Sequence, residues 1–169
     1  MIVGKLTLKL LLGTALLWLA AGVTAGEYPR ITEPSDLDRR YMTQQRESLN
    51  DLAAMKLGRH FSGQKDNDLQ ILQLLLDKRL VRPDQTMELQ SMGIIMGDLL
   101  AAELGMHWVI YEDAQGRSRA LRYQQSDEYL FPVTMISRRQ EVDNHTPVAV
   151  IYQKAYDIIA PLRPAIPFR

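Results

Sequence analysis

Twenty acidic residues and three histidines are the groups in this 169-residue chain that could move protons or hold a metal, and their spacing decides how much chemistry to expect. Asp98 and Glu103 lie five positions apart, about 140° around a helix, so they do not form a face by themselves. Glu112 and Asp113 stand where a strand enters a turn. Dispersed carboxylates of this kind can serve hydrolysis without a motif; the competing reading is solvated charge that keeps a hairpin edge soluble. Arg117, Arg119 and Arg122 follow on the returning strand. Alternation puts the first two on one face and Arg122 on the other, so Glu112 can pair across the hairpin with Arg117 or Arg119. Arg119 with Arg138 and Arg139 would make an anion site. Trp108 shares a strand face with Ile110 and Glu112 and is expected to lie mostly in the core with its indole N–H on an acceptor; Trp108, Glu112, Asp113 and Arg119 are also the candidate binding residues. No catalytic residue stands out.

Other chemistries lack their parts. The chain has no cysteine, which removes disulfides, thiol nucleophiles and cysteine-ligated metals together. His60, His107 and His145 are scattered, with no pair at the spacing that puts two ligands on one helical face. Asp66-Asn67-Asp68 begins like a calcium loop but lacks the required glycine and terminal glutamate. There is no Gly-x-Ser-x-Gly elbow, phosphate loop or dinucleotide fingerprint. Neither a metal nor a cofactor is expected. Lys and Arg balance Asp and Glu at 20 each, which is no electrostatic footprint for nucleic acid or for an anionic membrane surface.

The elements that would position these residues follow from periodicity. Ser35 or Asp36 caps a long amphipathic helix running to about Arg59, with Leu37, Tyr41, Leu49, Leu52, Ala53 and Phe61 on its apolar side and Gly58 or Gly63 at its end. Asp66-Asn67-Asp68 caps a second, leucine-rich helix that Pro83 breaks. Asp84 caps a third, from about Gln85 to Leu104, ended by Gly105. Within it Gly93, Gly97 and Ala101 share a stripe at spacing four. Each interior glycine costs about 1 kcal/mol relative to alanine; close approach of a neighbouring backbone, or a gap that admits a ligand, would offset it.

After Gly105 the period changes. His107 to Glu112 is aromatic and β-branched, Asp113 to Gly116 is turn chemistry with Gly116 in the left-handed position, and Ser118 to Tyr123 returns. Tyr129 to Val133 joins as a third strand, with Pro132 at an edge or strand end because it cannot donate to the ladder. Thr134 to Glu141 fits a short helix or a continued strand. Val148 to Ile159 is a last helix, whose Val150, Ile151, Ala155, Ile158 and Ile159 can face the sheet. Pro161, Pro164 and Pro167 recur at spacing three, which suits a docking tail or an arm packed on its own domain.

From Leu69 to about Ala160 the chain resembles a bacterial domain family of unknown function, the one numbered 3806. The resemblance is carried by Leu69 to Asp77, by Leu89-Gln90-Ser91-Met92-Gly93 with Gly97, and by Leu104-Gly105-Met106-His107-Trp108-Val109. Asp113-Ala114-Gln115-Gly116, Ala120-Leu121-Arg122 and Phe131 to Ile136 complete it. It implies a fold and supplies no catalytic residues.

The first 25 residues read as an export signal: Lys5 and Lys9, an apolar run from Leu10 to Val23, and a small-x-small site at Val23-Thr24-Ala25. The run is short of the roughly 20 apolar residues that span a bilayer, so cleavage after Ala25 is expected, with membrane contact only through the uncleaved signal. The sequence thus predicts a signal at 1–25, a linker at 26–34, one α+β domain at 35–160 and a proline-rich tail at 161–169. In that domain N-terminal helices pack on an antiparallel sheet of about three strands, with a C-terminal helix over a sheet face. The leading function is a non-enzymatic periplasmic or secreted module that binds an unknown protein or envelope component. A small hydrolase or ligand-binding enzyme using the dispersed acids and Trp108, and an antitoxin-like immunity protein, are the alternatives.

Overall fold

In a computed structural model, residues 29–163 are described; the expected export signal and the end of the expected proline-rich tail lie outside them. The order is β1 (Arg30–Thr32), α1 (Asp36–Leu57), α2 (Lys65–Asp77), α3 (Thr86–Leu104), β2 (Met106–Asp113), β3 (Gly116–Tyr123), β4 (Tyr129–Leu130), a 3-10 turn (Pro132–Thr134), α4 (Ser137–Gln140), α5 (Val148–Ile159) and a closing 3-10 turn (Ala160–Leu162). The fold is α+β. Its sheet has four antiparallel strands in the order β1-β2-β3-β4, one more than expected, because residues 30–32 of the expected linker pair with β2. Ile31, alone between Pro29 and Pro34, is too short an apolar signal to announce that strand; it is legible only once Tyr111 is opposite it.

α3 is the centre. Residues 89 and 91 to 97 are all buried, as are Leu99 and Leu100, because α1, α2, α5, the Pro132–Thr134 turn and the sheet all pack on this helix. An element enclosed on every side must be apolar all round. α5 therefore rests on α2 and α3 rather than on the sheet. Its buried side is Val148, Ile151, Tyr152, Ala155 and Ile159, and Val150 and Ile158 are exposed instead of facing inward.

The expected cap of α1 is present, whereas those of α2 and α3 need correction. α1 begins at Ser35 with a reciprocal capping box to Asp38, and ends at Gly58 in the left-handed conformation. Its buried side is Asp38, Met42, Gln45, Leu49 and Ala53, so Leu37 is 77% exposed and two polar residues take core positions. Gln45 accepts from the Ser91 hydroxyl at 2.6 Å. α2 is not capped by Asp66, Asn67 or Asp68: it starts from Gln64, and Asp68 instead accepts from the main-chain N–H groups of Ser62 and Gly63 at 2.9 and 2.8 Å. Nor does Asp84 cap α3, which follows Gln85; Asp84 pairs with Arg82 at 3.1 Å.

The β2–β3 hairpin runs in register from Met106↔Tyr123 to Asp113↔Gly116, where Gly116 takes a φ of 130° that favours glycine. Tyr129–Val133 is a strand for only two residues; the chain turns at Pro132, and Ser137–Gln140 resolves the ambiguous segment as a short helix. Pro161 and Leu162 lie in the last 3-10 turn, so the tail begins as a continuation of α5.

The glycines of α3 meet specific neighbours. A Cβ at Gly93 would lie 2.4 Å from the Pro132 carbonyl oxygen and 2.7 Å from the Val133 Cα; one at Gly97 would lie 2.6 Å from the Trp108 ring and 2.7 Å from the Pro132 ring. An exposed helical Gly→Ala change gains about 1 kcal/mol. Here Gly93→Ala and Gly97→Ala should instead destabilise by about 1 to 3 kcal/mol through overpacking. Gly93→Ala should cost more, since main chain yields less readily than a side-chain ring. Urea unfolding followed by circular dichroism measures both, and a stabilised Gly93→Ala would show that the Pro132 turn does not sit this close.

Candidate functional site

The side-chain hydrogen bonds that span the most sequence among the described residues start at a helix cap. Asp38 receives the Ser35 hydroxyl at 2.6 Å and the Ser35 main-chain N–H at 3.1 Å. Arg117 reaches it from β3 with two bonds, at 3.0 and 2.6 Å, and Arg119 adds a third at 3.0 Å. The Arg119 guanidinium also sits 4.3 Å from the centre of the Tyr41 ring, and its buried Nε has no hydrogen-bond partner among the described residues. Alternation does place Arg117 and Arg119 on one face, with Glu112 directly opposite Arg117 in register. The partner they grip, however, is Asp38.

Two further acids are occupied in the same way. Asp98 takes a two-pronged bond from Arg46, at 2.6 and 2.8 Å, and the indole N–H of Trp108 at 2.9 Å. Glu103 accepts from the Tyr152 hydroxyl at 2.5 Å and from Lys65 at 3.1 Å. The Tyr152 bond, aided by Lys65, holds the Glu103 carboxyl below its usual range against the opposing effect of burial. Burial, reinforced by Glu103, raises the Tyr152 hydroxyl well above its own.

Beyond Arg117 and Arg119 lies a groove of about 480 Å³. The hairpin end contributes Tyr111, Asp113 and Gly116 to Arg119, α3 contributes Gln90, and the segment after β4 contributes Phe131, Val133, Thr134 and Arg138. Tyr111 meets Tyr129 and Phe131 edge-on, with ring centres 5.0 and 5.3 Å apart. Among the described residues Asp113 is the one acid in the lining, and it accepts from the Gln115 N–H at 2.8 Å. On the far side of the two arginines a second depression, about 560 Å³, runs along Leu37, Arg40, Tyr41 and Gln44.

The groove exists because the sheet stops short. Tyr123 donates its N–H outward to Glu128 at 3.0 Å, and Leu121 pairs with Leu130. Main-chain groups of alternate residues point to the same edge, so Arg119 and Arg117 are the next residues facing outward. The position that would answer Arg119 is Pro132, which has no N–H to give and already opens a 3-10 turn. The ladder between β3 and β4 ends at Leu121↔Leu130, leaving the outward N–H and C=O groups of Arg117 and Arg119 along the groove.

Of the four residues singled out from sequence, Asp113 and Arg119 line this groove. Trp108 does not; it is half-buried over Gly97 with its indole on Asp98. Glu112 is half-exposed beside Arg30 and Arg117. Arg119 and Arg138 share the lining, whereas Arg139 turns back to the Met135 carbonyl. Tyr111, Phe131 and Gln90 were missed. The Phe-Pro step was the available signal, since an aromatic beside a residue that ends a strand is placed at a sheet edge.

Arg117 holds the Asp38 carboxyl well below the usual carboxylate range, with burial opposing and the Ser35 donors assisting. A folded pKa below the unfolded value of about 3.9 gives stabilisation that is complete above that value and is lost as pH falls through the folded pKa. Asp38→Asn should therefore cost about 2 to 3 kcal/mol at pH 7, the lower range for a buried pair because Arg117 stays half exposed. The gap to the parent protein should narrow as pH falls below about 4. Chemical denaturation from pH 7 to pH 2 checks this; a gap independent of pH would remove the ion pair as the source of the stability.

Comparison with known proteins adds the lineage. No curated protein matches the chain. A protein from Bacteroides thetaiotaomicron VPI-5482, known from a crystal structure at 1.50 Å resolution, aligns with a TM-score of 0.69 and 21% identity. The alignment covers 76% of this chain and 47% of that one, so the chain spans about half the length of that protein, and the likeness is one of fold. Residues 68–152, half of the chain, match the family described as a domain of unknown function (DUF3806), and the protein belongs to that family.

Proposed function

We propose that this protein is an exported, non-enzymatic interaction module that works in the periplasm or outside the cell and holds a protein or envelope component in the groove beside β3. The observation that carries this reading is the occupancy of the acids that bridge elements of the fold, one of them buried and two half-buried. Asp38, Asp98 and Glu103 are each taken up by at least two partners on other elements or at the cap. A hydrolytic acid needs a carboxyl whose pKa is raised toward neutrality and which faces the substrate. The resolved shifts of Asp38 and Glu103 run downward, and the groove contains a single acid, Asp113. What the groove does offer is aromatic surface, arginine and unpaired main chain, which are the materials of recognition.

Export is supported by Lys5, Lys9, the apolar Leu10–Val23 run and the Val23-Thr24-Ala25 site. Among the described residues no helix is long and apolar enough to cross a membrane.

Fractionation of the native cell with N-terminal sequencing should find a soluble form that begins at Gly26. A photo-crosslinking residue in place of Phe131, at the groove, should capture an envelope component. The same residue in place of Met55, 76% exposed on α1, should not. Recovery of the full-length chain in the membrane fraction would overturn export, and equal capture from both positions would overturn the groove as the binding surface.

A further inference from the structure

We infer that the groove takes its ligand as an added β-strand: an extended, acidic peptide segment that pairs with the open edge of β3 and continues the sheet where β4 leaves it. This rests on the reading of the groove as the binding surface and names the chemistry of the partner. Three features converge on it.

The first is main-chain valence. Arg117 and Arg119 present outward N–H and C=O groups beyond the last rung at Leu121↔Leu130, and Pro132 cannot supply the next one. An extended segment of three or four residues satisfies these groups with the geometry of an ordinary antiparallel or parallel rung, which is the strand-addition mode of peptide recognition. The opposite edge of the sheet is β1, three residues long between prolines and away from the groove lining.

The second is side-chain accommodation. Successive side chains of an added strand point to opposite faces. The groove meets them with unlike surfaces: the Tyr111 and Phe131 rings, and the Val133, Thr134, Gln90 and Arg138 cluster. Phe131 is 36% exposed although it is one of the largest apolar side chains in the protein, so an apolar ligand residue against it would bury surface that is now wet.

The third is charge. Arg117, Arg119 and Arg138 line the groove against Asp113 alone. Asp38 neutralises part of this through Arg117 and Arg119, and Arg138 is exposed with no ion pair among the described residues. A carboxylate on the incoming strand pairs with Arg138, whereas a basic strand meets an uncompensated arginine.

The test uses a fluorescein-labelled peptide, Val-Glu-Val-Thr-Val-Glu-Val, its lysine counterpart Val-Lys-Val-Thr-Val-Lys-Val, and the purified protein. The acidic peptide should bind and the basic one should bind at least about tenfold more weakly; Arg138→Glu should reverse that order. Arg117→Ala and Arg117→Pro both lose the contact to Asp38, but only the proline variant loses the outward N–H. Proline on the free side of an edge strand leaves the remaining ladder intact. Arg117→Pro should therefore bind about three- to tenfold more weakly than Arg117→Ala, the value of one hydrogen bond. On adding peptide, the Arg117 and Arg119 amides should gain protection from hydrogen exchange. Equal binding by the two Arg117 variants, protection at Arg30–Thr32 instead, or no binding of the acidic peptide at millimolar concentration would each overturn strand addition. An envelope component captured through position 131 but indifferent to Arg117→Pro would keep the groove as the binding surface and sink this mode of occupying it.

Discussion

The Asp38 carboxylate is the constraint on which the arrangement of the two halves depends. It closes the capping box of α1 with Ser35 and, through Arg117 and Arg119, fixes that helix start to the middle of β3. An acid at a helix N-terminus is favoured by the dipole and by unpaired N–H groups. Two arginines arriving from a distant strand turn that local preference into a tertiary lock. Burying the carboxylate almost completely, at 3% exposure, is tolerable only because five donors compensate its lost water. α1 could slide along α3 on apolar contacts alone; it cannot do so without breaking this cluster.

Asp98 and Glu103 repeat the device elsewhere. Asp98 joins α3 to α1 and β2 through Arg46 and Trp108, and Glu103 joins α3 to α2 and α5 through Lys65 and Tyr152. Each carboxylate ties elements far apart in sequence. Apolar packing is non-directional, so a core rich in leucine, isoleucine and methionine leaves helix register weakly specified. Directional acid clusters, two on α3 and one between α1 and β3, supply that specification.

Much of this scaffold was legible in sequence. The β2–β3 hairpin, the Gly58 and Gly105 helix ends and the span of α5 follow from local chemistry, since turn glycines, strand aromatics and helical periodicity act within a few residues. What escaped depends on distant partners. β1 has one apolar residue and becomes a strand only beside β2. The burial of Asp38 and Gln45 in place of Leu37 contradicts hydropathy, and it is intelligible only once Arg117, Arg119 and Ser91 are opposite them. Asp113 and Arg119 were found by asking where charge meets a turn; their neighbour Phe131 was read as part of a strand that in fact ends at Leu130, and Arg138 comes from a segment left open between helix and strand.

The glycine stripe and the open sheet edge are one feature seen from two sides. Gly93 lets the Pro132 and Val133 backbone approach α3 to distances no side chain permits, and Gly97 does the same for the Pro132 and Trp108 rings. That seat draws the chain down from the sheet immediately after Leu130, so β4 lasts two residues while its partner strand has eight. Proline at 132 makes the departure irreversible, because the residue that would form the next rung cannot donate. The packing explanation of the glycines and the ligand explanation therefore do not compete: the close approach on α3 is what keeps Arg117 and Arg119 open on the other side.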